Sequence, residues 1–109
     1  MKHLKTYENQ MGEPKIGDYV YCEEGDGVNH DDKVLIFISN NIGKVYKYVY
    51  DYYLIKYNIN FKEEGIKKEE FQFIGDPKGC RKMYRKEIKY WSKSKEELEL
   101  KIATQKYNL

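Results

Sequence analysis

Among the apolar and polar positions of the chain, strand-forming residues crowd between Ile42 and Ile59, where six tyrosines fall within Tyr46–Tyr57. Aromatic and β-branched residues suit a pleated, half-buried surface. The polar break at Asp51 separates two such runs, so the segment predicts an antiparallel hairpin turning near Tyr50–Tyr52. A first strand is expected over Ile16–Cys22, with Val20 and Cys22 inward and Tyr19 and Tyr21 on the other face. The continuous apolar run Val34–Ile38 suits a buried strand, although its pattern leaves a short helical turn open. Phe71–Ile74 reads as a short strand stopped by Gly75-Asp76-Pro77-Lys78-Gly79, and Arg81–Trp91 as a last strand or strand pair. Phe61–Glu70 is charged and reads as a loop or short helix.

The period changes after Trp91. Ser94-Lys95-Glu96-Glu97 fits a capping box, with Ser94 as N-cap. Leu98 and Ile102 then share one helical face. Glutamates come early and lysines late, as the helix dipole favours. The helix is expected over about residues 94–106. Val20, Val45, Val49, Leu54, Ile88, Leu98 and Ile102 are the expected core. Residues 1–14 read as a loose arm and 15–109 as one domain. The expected fold class is mainly β (α+β): a small, strongly bent antiparallel barrel of about five strands with a C-terminal helix.

A chain of 109 residues, 40% hydrophobic and 35% charged, forms one globular domain. The net charge of +2 conceals an asymmetry. Residues 1–32 carry −5, residues 33–77 carry +1, and residues 78–109 carry +6. Two cysteines, Cys22 and Cys80, are too few for a disulfide scaffold. The N-terminus has no apolar signal segment and no run reaches the length of a membrane span. Free thiols and a cytoplasmic location are therefore expected.

The start Lys15-Ile16-Gly17-Asp18-Tyr19-Val20, a long loop, and Ile42-Gly43-Lys44-Val45 opening a hairpin resemble the Src-homology-3-type small barrel. The resemblance spans about residues 15–91 and implies a binding module. The long acidic loop, the insertion at 61–70 and the final helix depart from the family pattern, and no proline-binding groove can be assigned. The end, Glu87–Leu98, also looks like small uncharacterised proteins of bacteriophages and large DNA viruses.

Candidate chemistry is sparse. Glu23, Glu24, Asp26, Asp31 and Asp32 crowd one loop, but Val28 breaks the alternation that a calcium loop needs. His30 lacks the paired, closely spaced partners of a zinc site. Cys80 sits beside Arg81, which would activate a thiol, yet no base accompanies it. Gly25-Asp26-Gly27 is acidic and would repel a phosphate. No catalytic residue, metal or cofactor is expected.

Two binding surfaces remain. The first joins the acidic loop (Glu23, Glu24, Asp26, Asp31, Asp32) to Tyr48, Tyr50 and Tyr52. Its partner would be a protein, since acids can mimic nucleic-acid phosphates and tyrosine is enriched at interfaces. With the viral resemblance, this predicts a non-enzymatic inhibitor of a host defence nucleoprotein, in the manner of anti-CRISPR proteins, acting in the host cytoplasm. The alternative is a nucleic-acid-binding surface on Lys78, Arg81, Lys82, Arg85, Lys86, Lys89 and Trp91, where cations and aromatics interleave.

Overall fold

The computed structural model describes residues 12–24 and 32–107. β1 (Tyr19–Cys22) is followed by helix α1 (Lys33–Ser39) and the hairpin of β2 (Gly43–Val49) and β3 (Tyr52–Lys56). Two single-turn helices, α2 (Phe61–Glu64) and α3 (Lys68–Phe71), lead to β4 (Cys80–Tyr84). A 3₁₀ turn at Arg85–Glu87, β5 (Ile88–Ser92) and α4 (Lys95–Tyr107) complete the described chain.

All five strands pair antiparallel in the order β4-β3-β2-β1-β5. The sheet is not closed into a barrel, because β4 and β5 form its two edges and do not pair with one another. It is nevertheless strongly curled. Tyr84 and Ile88 lie four residues apart in the chain and so at most about 14 Å apart in space. Four flat inter-strand spacings would separate the edges by about 19 Å. Only a curled sheet lets so short a turn join them.

The hairpin turns at Tyr50-Asp51, as expected, with Tyr50 in the left-handed region at φ 56°. Opposite Leu54 and Ile55, β2 carries an irregularity between Val45 and Lys47. A bulge of this kind increases local twist. Gly43 is required by close approach. A Cβ there would run into the Ile55 side chain and come within 2.9 Å of the Tyr57 ring.

Along each strand, alternate residues divide between two faces. The inner face carries Val20, Cys22, Val45, Tyr53, Ile55, Met83, Ile88 and Trp91. With Val34, Phe37 and Ile38 of α1, and with Tyr57, Ile59, Ile66 and Phe71, these form one continuous core. Phe71 meets Phe37, Tyr57 and Phe61 edge to face. Helix α4 lies against β5 and β1 through buried Leu98 and Lys101. Its Ile102 and Ala103 share a cleft with Tyr21 and Ile42. Of the expected core, Val20, Val45, Leu54, Ile88 and Leu98 are buried, while Val49 and Ile102 are only half-buried.

Several expectations require correction. Val34–Ile38 belongs to a helix, not a strand. Asp32 is its N-cap, and its carboxylate accepts from the amides of Val34 and Leu35. Phe71–Ile74 is not a strand either. Phe71 ends α3, and Phe73 and Ile74 stand out 61% and 98% exposed. β1 begins at Tyr19, because Asp18 caps a tight turn by accepting the Lys15 amide at 2.9 Å. The end of the expected loose arm is tied down: Pro14 is buried, and Glu13 accepts from Tyr53 Oη at 3.0 Å and Arg85 Nε at 2.8 Å. Residues 1–11 lie outside the described residues.

Ser94 does cap α4, accepting from the Glu97 amide at 3.2 Å. The reciprocal half of the capping box is rearranged. Glu97 takes the Ser92 hydroxyl, and the Ser94 amide donates to Ser92 Oγ. This ties the helix to the end of β5.

Candidate functional site

Two of the five expected acids, Glu24 and Asp32, are engaged within the molecule. Glu24 grips the Arg81 guanidinium through two hydrogen bonds, the longer at 2.9 Å, and both side chains are largely covered. Arg81 also donates to the carbonyls of Phe71 and Glu70. Asp32 is occupied as a helix cap. Glu23 is exposed and accepts from Tyr21 Oη at 3.0 Å. Asp26, Asp31 and His30 lie outside the described residues.

The three tyrosines assigned with the loop are not gathered on one surface. Tyr48 packs its ring 4.6 Å from that of Tyr53, and Tyr50 occupies the hairpin tip, 88% exposed. Tyr52 lies under the ammonium of Lys82, 4.6 Å from its ring centroid.

The expected basic surface is divided too. Arg81 turns to Glu24, and Arg85 lies over the Trp91 ring at 4.4 Å while bonding Glu13. Trp91 is nearly buried, so it offers little stacking surface. Lys86 and Lys89 are exposed beside the 3₁₀ turn. Only Lys78 and Lys82 join the cationic region that the fold assembles.

That region is the face of β2, β3 and β4 turned away from the continuous core. The pairing register lays it out in three rows. Lys44 stands opposite Lys56, which stands opposite Cys80. Lys47 and Lys82 flank Leu54, and Val49 and Tyr84 flank Tyr52. Leu54 is buried yet lies outside the continuous core, as expected of the opposite face. Phe73 extends the aromatic end, with the Lys82 ammonium 4.1 Å from its ring centroid.

At the lysine end the first row deepens into a cleft of 880 Å³. Lys44, Lys56, Lys78 and Lys95 line it, with Tyr19, Tyr46 and the apolar Ile16, Ile42 and Ile59 as walls. None of its described lining residues is acidic. The Lys44 ammonium lies 5.1 Å above the Tyr19 ring.

Lys44, Lys47, Lys56 and Lys95 were missed by sequence reasoning because they are dispersed along the chain, each among neutral or acidic neighbours. A signal was present. The five strands carry Lys44, Lys47, Lys56, Arg81, Lys82 and Lys89 and not one acid. The described acids all fall outside the strands, and net charge per segment hides this separation.

Neither cysteine is placed for nucleophilic work. Cys22 is fully buried, and burial pushes its thiol from 9.0 up to about 12. Cys80 is buried, and its thiol is also raised by desolvation. Among the described residues no group of three or more His, Cys, Asp or Glu side chains could hold a metal ion. No described helix is long and apolar enough to cross a membrane.

Compared with models of known protein families, with curated proteins and with solved structures, the chain matches none significantly.

Proposed function

We propose that this protein is a non-enzymatic binding module that holds single-stranded nucleic acid on the open face of its sheet. The observation that carries the reading is the segregation of charge: six cations and no acid in the five strands. Four of the six, Lys44, Lys47, Lys56 and Lys82, stand on the face turned away from the core, in register with Tyr52 and Tyr84. Proteins that bind single strands combine a cationic track for phosphates with aromatic rings for bases. This differs from the expected C-terminal patch. It keeps Lys78 and Lys82, drops Arg81 and Arg85, and adds lysines from the hairpin. The curled meander, with Lys15–Val20 leading into β1 and Ile42–Val45 into β2, supports the resemblance to the Src-homology-3-type barrel.

Fluorescence anisotropy with a labelled random-sequence oligonucleotide tests the reading. Binding that K47Q and K82Q weaken, and that K86Q and K89Q leave alone, is the expected result. No binding at low salt overturns it.

One observation favours a protein partner as the second reading. Tyr50 and Tyr48, 88% and 55% exposed, project at the hairpin end, where tyrosine serves interfaces well. On that reading the protein is a phage accessory factor inhibiting a host defence nucleoprotein, with the hairpin end as its contact. A pull-down from host lysate separates the two. Recovery of one protein that resists nuclease and fails with Y50A supports the second reading.

A further inference from the structure

The cleft at the lysine end differs from the rest of the open face. Lys44 and Lys56 are direct cross-strand partners. Like charges placed opposite one another destabilise a sheet. Among the described residues no acid lines the cleft to offset them. Lys78, from the turn before β4, and Lys95, from the start of α4, bring the number of lysines lining it to four, drawn from four separate elements. The volume of 880 Å³ falls within the range of small-molecule sites.

An internal phosphodiester offers one negative charge. A phosphate monoester offers about 1.5 to 2 at neutral pH, with three acceptor oxygens. A concentrated cluster of cations inside a cleft, at one end of a longer cationic face, therefore favours the monoester. Resting on the nucleic-acid reading, we infer that the cleft seats the terminal phosphate of a bound strand. Tyr19 and Tyr46 flank the terminal nucleoside, and the rest of the strand runs along Lys47, Lys82, Tyr52 and Tyr84. A free mononucleotide carries the same chemistry and fits the same place.

The experiment measures anisotropy of the full chain with one internally labelled oligonucleotide in three forms: 5′-phosphorylated, 3′-phosphorylated and hydroxyl at both ends. One phosphorylated form should bind about fivefold tighter than the hydroxyl form, the effect of one added ion pair at a solvent-exposed site. The double variant K44Q/K56Q should erase that difference. Y84A should weaken all three forms alike. K56Q should also raise the melting temperature, because it relieves the repulsion with Lys44. Competition by AMP identifies the source. Displacement at concentrations near the strand's own marks the free nucleotide, and displacement only in large excess marks the strand end. Equal affinity for all three forms overturns the inference while leaving the nucleic-acid reading intact. Failure of every form to bind overturns both.

Discussion

The salt dependence of binding can be worked out from the geometry of the open face. Lys44, Lys47, Lys56 and Lys82 stand on it in register, and none forms an ion pair among the described residues. If each neutralises one phosphate charge, Lys44 and Lys56 sharing the doubly charged terminal phosphate, the slope of log K against log salt for an end-phosphorylated single strand is about −2.8, at about 0.7 per charge. Raising salt from about 50 to about 200 mM should then cut affinity about 50-fold. Lys47 is the cleanest probe, since its side chain is exposed. K47Q should lower the slope by about 0.7 and leave the melting temperature where it is. Tyr84 probes the other component. Y84A should cost about 1–3 kcal/mol, the worth of one stacked base, with the slope unchanged. Anisotropy titrations at four salt concentrations measure both. A slope that K47Q leaves untouched would refute the assignment of phosphates to this face. So would a slope change from K86Q or K89Q equal to that from K47Q.

Three further outcomes concern the fold. Leu98 is fully buried between α4 and the sheet, so Leu98→Ala should cost about 2–5 kcal/mol; a melting temperature unchanged by it would mean that the helix is not docked. Gly43→Ala should destabilise the chain, because the added methyl group meets Ile55 and the Tyr57 ring inside the core; urea midpoints check this, and a wild-type midpoint contradicts the packing. In alkali, Cys22, Tyr21 and Tyr53 hold their protons up to about 12 in the folded chain, through burial and, for the tyrosines, bonds to Glu23 and Glu13. The folded state then binds more protons than the unfolded one, so stability is full below pH 9 and falls as pH rises towards 12; melting curves across that window should show the fall, a flat profile would refute it, and Cys22→Ala should reduce it.

How far the sequence disclosed this architecture depends on where the information was local. The hairpin was legible because strand-forming residues flank Asp51 on both sides, and α4 was legible because Ser94 announces it. The run Val34–Ile38 misled because it is apolar at every position, so the period was silent. The answer lay in Asp32 just ahead of it, whose carboxylate caps the first turn. Phe71–Ile74 misled for the opposite reason. It has the composition of a strand but no partner, since β4 takes the edge beside β3 and leaves Phe73 and Ile74 in the turn region. The candidate site was least legible. Lys44 and Lys56 become neighbours only through the hairpin register, and Lys95 reaches them only because α4 folds back on β1 and β5.

The pairing of β1 with β5 has a consequence for how the chain comes to be made. Tyr19 has Ser92 as its partner, and Val20 has Trp91. As the protein is synthesised from its N-terminus, β1 emerges well before β5 and must wait for it before its second edge is covered. The β2–β3–β4 meander needs only neighbours already released and can form in the meantime, since local pairings require little loop closure. The final strand then completes both β1 and the shelf on which α4 lies. A ribosome stalled before Ile88 would therefore display a formed hairpin beside a first strand paired with β2 alone, its other edge open to any strand that reached it first.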